Sequence, residues 1–582
     1  MMDPPLILLT QFLIIISACQ PVFMTQTKLP KVCTPHVGCM QGIYMPGFQI
    51  ERFEAFLGIP YALPPIGELR FSNPKAYPRW SDVLNATTAK VDCIQKNYLL
   101  TNPLVYGDED CLYLNIYRPV VSGSKPPMPV MVYIHGGGWF SGSAAPTQHG
   151  PEYFMDTQEV ILVTFAYRLG AFGFLSTNDS SMPGNFGLKD QNLALHWVQK
   201  NIASFGGNPK LVTIFGQSAG AISAHMHMLS KQSEGLFRSI IAISGTANVP
   251  FAITENPLEQ TRRVAELCNI TDALDLSSVK LARALRQVDA ITLIQSGDGL
   301  KYWHIDHMTN FRPVVEAADA KDSFLTEHPK QLLESGNYKA VPWLVGGVPQ
   351  EGAVRVLSIL ENDTLKNDFN SQFDYLLEML MDWPKHLTPT QRKTKTLQLI
   401  EEYFQGQHEV NNATWQGFLD LITDRGFLQP LYKAIREYIY HKDPTENPIY
   451  LYKFNYRGPY TFATIYTGGR ISRNYGVVHC DDLIYLFRAP ILFPDFAKDS
   501  ADAAVVKAFV DNFVHFAKYS KPRNSELQRS CNLNNFPVLA TNTICDYQEF
   551  INADQNSSFK IKTDNKFNNK RMLLWKALLE QE

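Results

Sequence analysis

Ser218 stands in Gly216-Gln217-Ser218-Ala219-Gly220, directly after the apolar run Leu211 to Phe215 and ahead of a helix-compatible stretch. A serine placed where a strand turns sharply into a helix projects its hydroxyl from the turn, the layout of a nucleophile elbow. Side chains at 216 or 220 would collide with the neighbouring strand or helix, which fits glycine at both positions. A Gly-x-Ser-x-Gly match arises by chance in roughly one chain in five of this length, so it needs a second motif beside it. Val130 to Ile134 supplies one: it reads as a buried strand and runs into His135-Gly136-Gly137-Gly138-Trp139. When a serine attacks a carbonyl the oxygen becomes an anion, and backbone N–H groups fixed in a dry site stabilise it more strongly than mobile water does. The candidate donors are Gly137, Gly138 and Ala219. The competing reading, a flexible glycine turn, fits poorly with a run that follows a strand upstream of an elbow.

A serine hydroxyl is a poor nucleophile until a base takes its proton, and the base needs an acid to hold its tautomer. Where such an elbow is used, chain order runs serine, acid, histidine. Gly476-Val477-Val478-His479-Cys480-Asp481-Asp482 is a short polar turn ahead of the apolar Leu483 to Phe487, a placement that suits a mobile, partly exposed base at His479. Val341 to Val345 reads as a strand followed by a turn that carries Glu351, past a strand end where sites in open α/β sheets collect. His225 and His227, just after the elbow, read as packing histidines, and His304 and His307 as surface or pocket residues. Position favours His479 over these without excluding them.

The assembled residues resemble the carboxylesterase and cholinesterase family of α/β-hydrolases over nearly the whole chain. Further stretches carry the likeness: Phe56 to Ala62, Glu109 to Asn115, Tyr167 to Phe174, Gly184-Asn185 and Asp190-Gln191. The resemblance implies a large, mostly parallel central sheet with helices on both faces and helical cap insertions. It makes Ser218, Glu351 and His479 a triad and Gly137, Gly138 and Ala219 an oxyanion hole. It also implies ion pairs Arg70 with Glu109 and Arg168 with Asp190, a disulfide Cys93 with Cys111, and a serine, Ser244, that supports the triad acid; a bland turn serine is the other reading of Ser244. Within the family the likeness is nearest to insect juvenile hormone esterases, through Arg70-Phe71, Asp190-Gln191, Gly216 to Gly220, Glu351 and Gly476 to Asp482. Gln217 discriminates best, since most relatives carry Glu there. Loss of that charge beside the imidazolium removes an attraction for cations and suits a neutral, lipophilic ester.

Choline esters need a Trp face for the quaternary ammonium, and the segment from Cys93 to Cys111 has none. Phe251, where relatives place an acyl-pocket wall, and Trp139 and Phe140 after the oxyanion glycines point to an apolar pocket, although buried aromatics are ordinarily core. The implied activity is hydrolysis of a neutral carboxylic ester, with the methyl ester of juvenile hormone as the leading substrate, and it requires no metal or organic cofactor. A broad-specificity esterase acting on food, odorant or xenobiotic esters would carry the same triad. A non-catalytic adhesion relative is a third reading, against which the intact triad and oxyanion loop argue.

The elements that must position these residues follow an α/β pattern: strands Val130 to Ile134, Val160 to Ala166 and Leu211 to Phe215, with a helix from Leu188 to Ser204. Thr254 to Lys339 and Leu360 to Pro444 read as helical insertions, and Ala501 to Lys518 as an amphipathic helix. No linker or repeat divides the 582 residues, and 45% hydrophobic composition with net charge −3 gives no reason to expect nucleic acid. Leu6 to Ile16 has the length of a secretory h-region, so residues 1–19 are expected to be a signal peptide and 20–582 a single domain. A basic n-region is missing, and Asp3 stands there instead. Asn-x-Ser/Thr acceptors at Asn85, Asn178, Asn269, Asn362, Asn412 and Asn556 agree with an extracellular route. The stretch Asn568 to Glu582 has no hydrophobic tail, so no stable membrane anchor is expected. Among nine cysteines, Cys33 with Cys39 and Cys531 with Cys545 are near enough to pair, leaving Cys268 and Cys480 free.

Overall fold

The computed structural model describes residues 28–120, 126–318, 320–523, 531, 546–553, 559–564 and 569–580. The expected signal peptide, Asn556 and Cys545 lie outside these residues.

Eleven strands form one sheet: β1 (Ile43–Met45), β2 (Phe53–Pro60), β3 (Tyr113–Arg118), β4 (Met128–Ile134), β5 (Ile161–Phe165), β6 (Gly207–Gln217), β7 (Ser239–Ile243), β8 (Trp343–Gly347), β9 (Ile449–Asn455), β10 (Tyr547–Asn552) and β11 (Phe559–Asp564). Their spatial order is β11-β10-β9-β8-β7-β6-β4-β5-β3-β2-β1. From β10 across to β5 every pairing is parallel, while both edges are antiparallel. Parallel strands covered on both faces must be apolar on both faces. Accordingly β4, β5 and β7 are buried almost without a break, where an exposed sheet would alternate. Two hydrophobic cores sandwich the sheet: Val130, Val132 and Ile134 point into one, and Met131 and Tyr133 into the other.

Helices α1 (Phe186–Asn201) and α2 (Ala219–Leu229) lie on the first core, and α5 (Ala501–Tyr519) covers the second. Between them α3 (Ala353–Leu360) and α4 (Trp415–Thr423) belong to the stretch after β8. Both expected insertions are helical, including Pro257–Leu267 and Ser278–Arg286 in the first and Pro389–Phe404 in the second. The strand expected at Val341 to Val345 begins two residues later, because Pro342 uses its carbonyl, not an N–H, to enter the ladder.

Arg168 donates from Nε and Nη2 to Asp190 at 2.8 and 2.7 Å, a buried bidentate pair that ties the end of β5 to α1. Removing one partner of such a pair costs about 3–5 kcal/mol, because the other charge stays buried. Arg70 pairs with Glu109 at 2.5 Å. Cys93–Cys111 and Cys33–Cys39 are disulfides, and Cys268 and Cys480 are free thiols. Among the described residues no helix is long and apolar enough to cross a membrane.

Candidate active site

Ser218 ends β6 and starts α2 with φ +56° and ψ −123°. A non-glycine residue there is strained by about 1–3 kcal/mol and persists only when its surroundings over-determine it. They do so here: Ser218 N donates to Ile243 O on the parallel neighbour β7 at 2.8 Å. A Cβ on Gly220 would lie 2.0 Å from Ile134 O, and one on Gly216 would lie 2.4 Å from Gly220 C. The two glycines are thus what lets helix and strand close on the turn. Gly137 has φ +101°, and a Cβ there would stand 2.1 Å from Ser141 O. The N–H groups of Gly137 and Gly138 make no hydrogen bond among the described residues.

His479 and Glu351 come from the turns after β9 and β8, and a bridge between Gln350 and Val478 sets those turns side by side. Nδ1 of His479 lies 2.5 Å from Glu351 Oε2. The other carboxylate oxygen accepts from Ser244 Oγ at 2.6 Å and Val348 N at 2.9 Å. Glu351 and His479 therefore meet at one rim of the sheet, with Gln217, the neighbour of Ser218, at His479 Nε2; among the described residues Ser218 Oγ makes no hydrogen bond to His479. One expectation is corrected: His479 is not partly exposed but 1% exposed, as is Glu351. The Phe427 ring lies 5.0 Å from the imidazole, and Tyr466 Oη donates to His479 O at 2.9 Å. Sequence reasoning missed both residues. Phe427 sits in a π-helical turn, Asp424–Leu428, inside the second insertion, and no periodicity marks which aromatic of that insertion faces the site.

Burial works against a charged His479, but the neighbouring Cys480 and Glu351 outweigh it and hold the imidazole well above its ordinary value. Nε2 of His479 meets the buried Gln217 amide at 3.0 Å. With the proton on Nδ1 the amide N–H donates to Nε2, and with an imidazolium a flipped amide offers its oxygen instead. Gln217→Glu puts a negative charge on that nitrogen and stabilises the imidazolium. The base acts only when neutral, so the acid limb of the kcat/KM profile is expected to move up by about 1 pH unit. An unmoved limb in a folded variant would show that residue 217 does not face the base.

Among the described residues, the fully buried Asp482 has no hydrogen-bond partner within bonding distance on either carboxylate oxygen. Burial, and next the Glu351 charge, push it up to about 8. A carboxyl raised in the folded state binds its proton more tightly there than in the unfolded chain, so this group's contribution to stability falls as pH rises from the ordinary carboxylate range towards about 8. Asp482→Asn removes the fall, and the gap in Tm between variant and parent should widen in the variant's favour over that window. A pH-independent gap would mean that Asp482 is ionised throughout.

The other candidates fall elsewhere. His225 and His227 are buried on α2, and burial pushes both down to about 3, as packing histidines require. His307 lines both the cleft beside Phe427 and the larger cavity adjoining it, and His304 lines the cavity that reaches Tyr466; among the described residues neither hydrogen-bonds or ion-pairs with Glu351. Trp139 is fully buried, with Nε1 donating to Ser223 Oγ at 3.0 Å, and Phe140 packs on Tyr98 at 5.5 Å. Phe251, Phe427, Met308, Thr309, Val354 and Ile422 line a mainly apolar cleft beside the base. That cleft opens on a cavity of about 820 Å³, and a second cavity of about 390 Å³ flanks the site between Tyr98 and Tyr466.

The family model described as "Carboxylesterase family" matches residues 28–575. The chain belongs to the carboxylesterase family. It is 38% identical to "Juvenile hormone esterase" of Tribolium castaneum, over 86% of this chain and 87% of that one. It is 33% identical to "Venom carboxylesterase-6" of Apis mellifera, over 95% and 94%. Among solved structures it is similar to juvenile hormone esterase from Manduca sexta with OTFP covalently attached, at TM-score 0.80 and 27% identity, over 95% of this chain and 100% of that one. The fold is thus the α/β-hydrolase fold, and the chain is a carboxylic ester hydrolase.

Proposed function

We propose that the protein is a secreted serine carboxylesterase whose nucleophile, base and acid are Ser218, His479 and Glu351, with Gly137, Gly138 and Ala219 as the oxyanion hole. The observation that carries the reading is the Glu351–His479 hydrogen bond at the rim where Ser218 projects from its elbow. Ser218 attacks the ester carbonyl, His479 takes its proton and passes it to the leaving alcohol, and water then cleaves the acyl-enzyme. Unpaired N–H groups at Gly137 and Gly138 suit the developing oxyanion.

The substrate is a neutral, lipophilic ester, with the methyl ester of juvenile hormone favoured by the likeness to the Tribolium and Manduca proteins. Its acyl group passes the narrow cleft of about 30 Å³ lined by Phe251 and Phe427, which must widen to admit it, toward the 820 Å³ cavity beyond, and Gln217 leaves no cation-attracting charge at the base. Residues 1–19 act as the signal peptide and 20–582 form one domain. Exposed Asn85, Asn178, Asn269 and Asn412 are glycan acceptors, as are Asn362 and Asn556. Asn362 is half-buried and caps a helix by accepting from Leu365 N, so it should be the least occupied of those described. A broad-specificity esterase is the second reading, and the 820 Å³ cavity adjoining the cleft, lined by apolar and charged side chains alike, favours it.

The test is kcat/KM for juvenile hormone against short aliphatic and aryl esters on purified protein. Strong preference for the hormone supports the first reading. Equal or better turnover of small esters establishes the second.

A further inference from the structure

Three arginines line the cleft beside the base, and two of them are occupied. Arg355 donates from Nε to Asp306 at 2.7 Å, pairs with it again through Nη2, and reaches Leu380 O from Nη1. Arg425 spends Nε on Met381 O and Nη2 on Asp382 O. Arg312 differs. Its Nε donates to Thr309 O at 2.5 Å, and among the described residues Nη1 and Nη2 have neither a hydrogen bond nor a carboxylate within ion-pair distance. A guanidinium has five N–H donors, and the four on Nη1 and Nη2, which are not sealed from water, are free to donate to a ligand in the adjoining cavity.

Its position says what would fill it. Arg312 lines both the apolar cleft and the 820 Å³ cavity behind it. It is held by Thr309, whose methyl would stand 2.9 Å from a Cβ on Gly138. A chain that enters from the oxyanion loop, past Phe251 and Phe427, therefore runs toward Arg312. Among the residues lining the larger cavity, Lys and Arg outnumber Asp and Glu six to three. Burial pulls Arg312 below its ordinary value and the half-buried Asp382 pushes back, while Asp382 also lies 3.4 Å from His307 Nδ1.

We propose that Arg312 sets specificity by binding an oxygen acceptor at the far end of the acyl group, so that esters ending in an oxygen are preferred over hydrocarbon-ended esters of the same length. The proposal rests on the esterase reading and adds the polar end of its substrate. Thr309 orients the guanidinium through Nε and leaves the bidentate Nη edge for the ligand. The walls between, Phe251, Phe427 and Ile422, bind the hydrocarbon.

The experiment uses three methyl esters of one medium chain length, ending in a methyl, a methoxy or a carboxylate group, with the wild-type protein, Arg312→Met and Arg312→Lys. Wild type should favour the oxygen-ended esters by about 10- to 100-fold in kcat/KM, mostly through KM, as a hydrogen bond to a charged group implies. The ratio should collapse to about 1 in Arg312→Met and survive in part for the carboxylate in Arg312→Lys. A larger gain for carboxylate than for methoxy identifies an anionic acyl tail, and equal gains identify a neutral one. Equal kcat/KM for all three esters in wild type, or a preference that persists in Arg312→Met, overturns the assignment. A fluorophosphonate counts working serines in each preparation. No labelling and no turnover of any ester defeats the esterase reading instead, and calorimetric binding of the three intact esters to wild type and Arg312→Met then still reads Arg312.

Discussion

Ser218→Ala is expected to lower ester turnover by about 10⁴- to 10⁶-fold, since the other members of a nucleophile–base–acid set have nothing to act on once the hydroxyl is gone. KM for substrates that still bind should change little. Stoichiometric labelling by a fluorophosphonate should vanish, while Tm and near-UV circular dichroism stay with the parent. The substitution is small for the fold, because the strained backbone at 218 is held by the hydrogen bond from its own N–H to Ile243 O, which alanine keeps. Residual catalysis over the uncatalysed rate should remain, from the N–H groups of Gly137 and Gly138 and from binding in the cleft. Turnover of a few per cent in a pure, folded variant would mean that another residue attacks. Cys480, a free thiol next to His479, would be the first to test.

The site was legible in the sequence where backbone constraints dictate residue type. Gly216 and Gly220 had to be glycine because a Cβ on Gly220 would clash with Ile134 O on β4 and one on Gly216 with the backbone of Gly220. Such steric demands leave a spaced signature that needs no structure to read. The parallel strands were visible as unbroken apolar runs for a similar reason, since burial on both faces removes alternation. What the sequence did not disclose depends on which side chain of a long insertion folds inward. Phe427, Tyr466 and Arg312 each lie in a segment whose local pattern fits any solvent-facing helix or turn. His479 was misjudged as partly exposed because a polar turn usually meets water, whereas here Phe427 and Gln217 close over it. Asp481 and Asp482 mislead in the same way: two adjacent acids read as a solvated turn, yet both are buried.

Glu351→Gln is expected to cost about 10³- to 10⁴-fold in kcat, and the structure says why an uncharged isostere cannot serve. Oε1 of Glu351 already accepts two donors, Ser244 Oγ and Val348 N. A glutamine must place its amide oxygen there, because its NH₂ would confront both donors. The NH₂ then occupies the Oε2 position and points at His479 Nδ1, 2.5 Å away in the parent. An imidazole facing a donor must accept through Nδ1, which puts its own proton on Nε2. That nitrogen is the one that should receive the serine proton, so the base is present in the wrong tautomer. Loss of the carboxylate also removes the charge that favours imidazolium formation as the reaction proceeds. Ser244→Ala alone leaves the carboxylate and Val348 N in place and should cost no more than about tenfold. Combined with Glu351→Gln it frees one side of the amide, lets the glutamine flip in a fraction of molecules, and should recover part of the lost rate. Recovery in the double variant requires the orientation argument, since simple loss of charge would make the two changes additive or worse. A Glu351→Gln variant that keeps a tenth or more of the activity would remove Glu351 from the triad and direct attention to Asp482, a second carboxyl buried near Glu351 and His479.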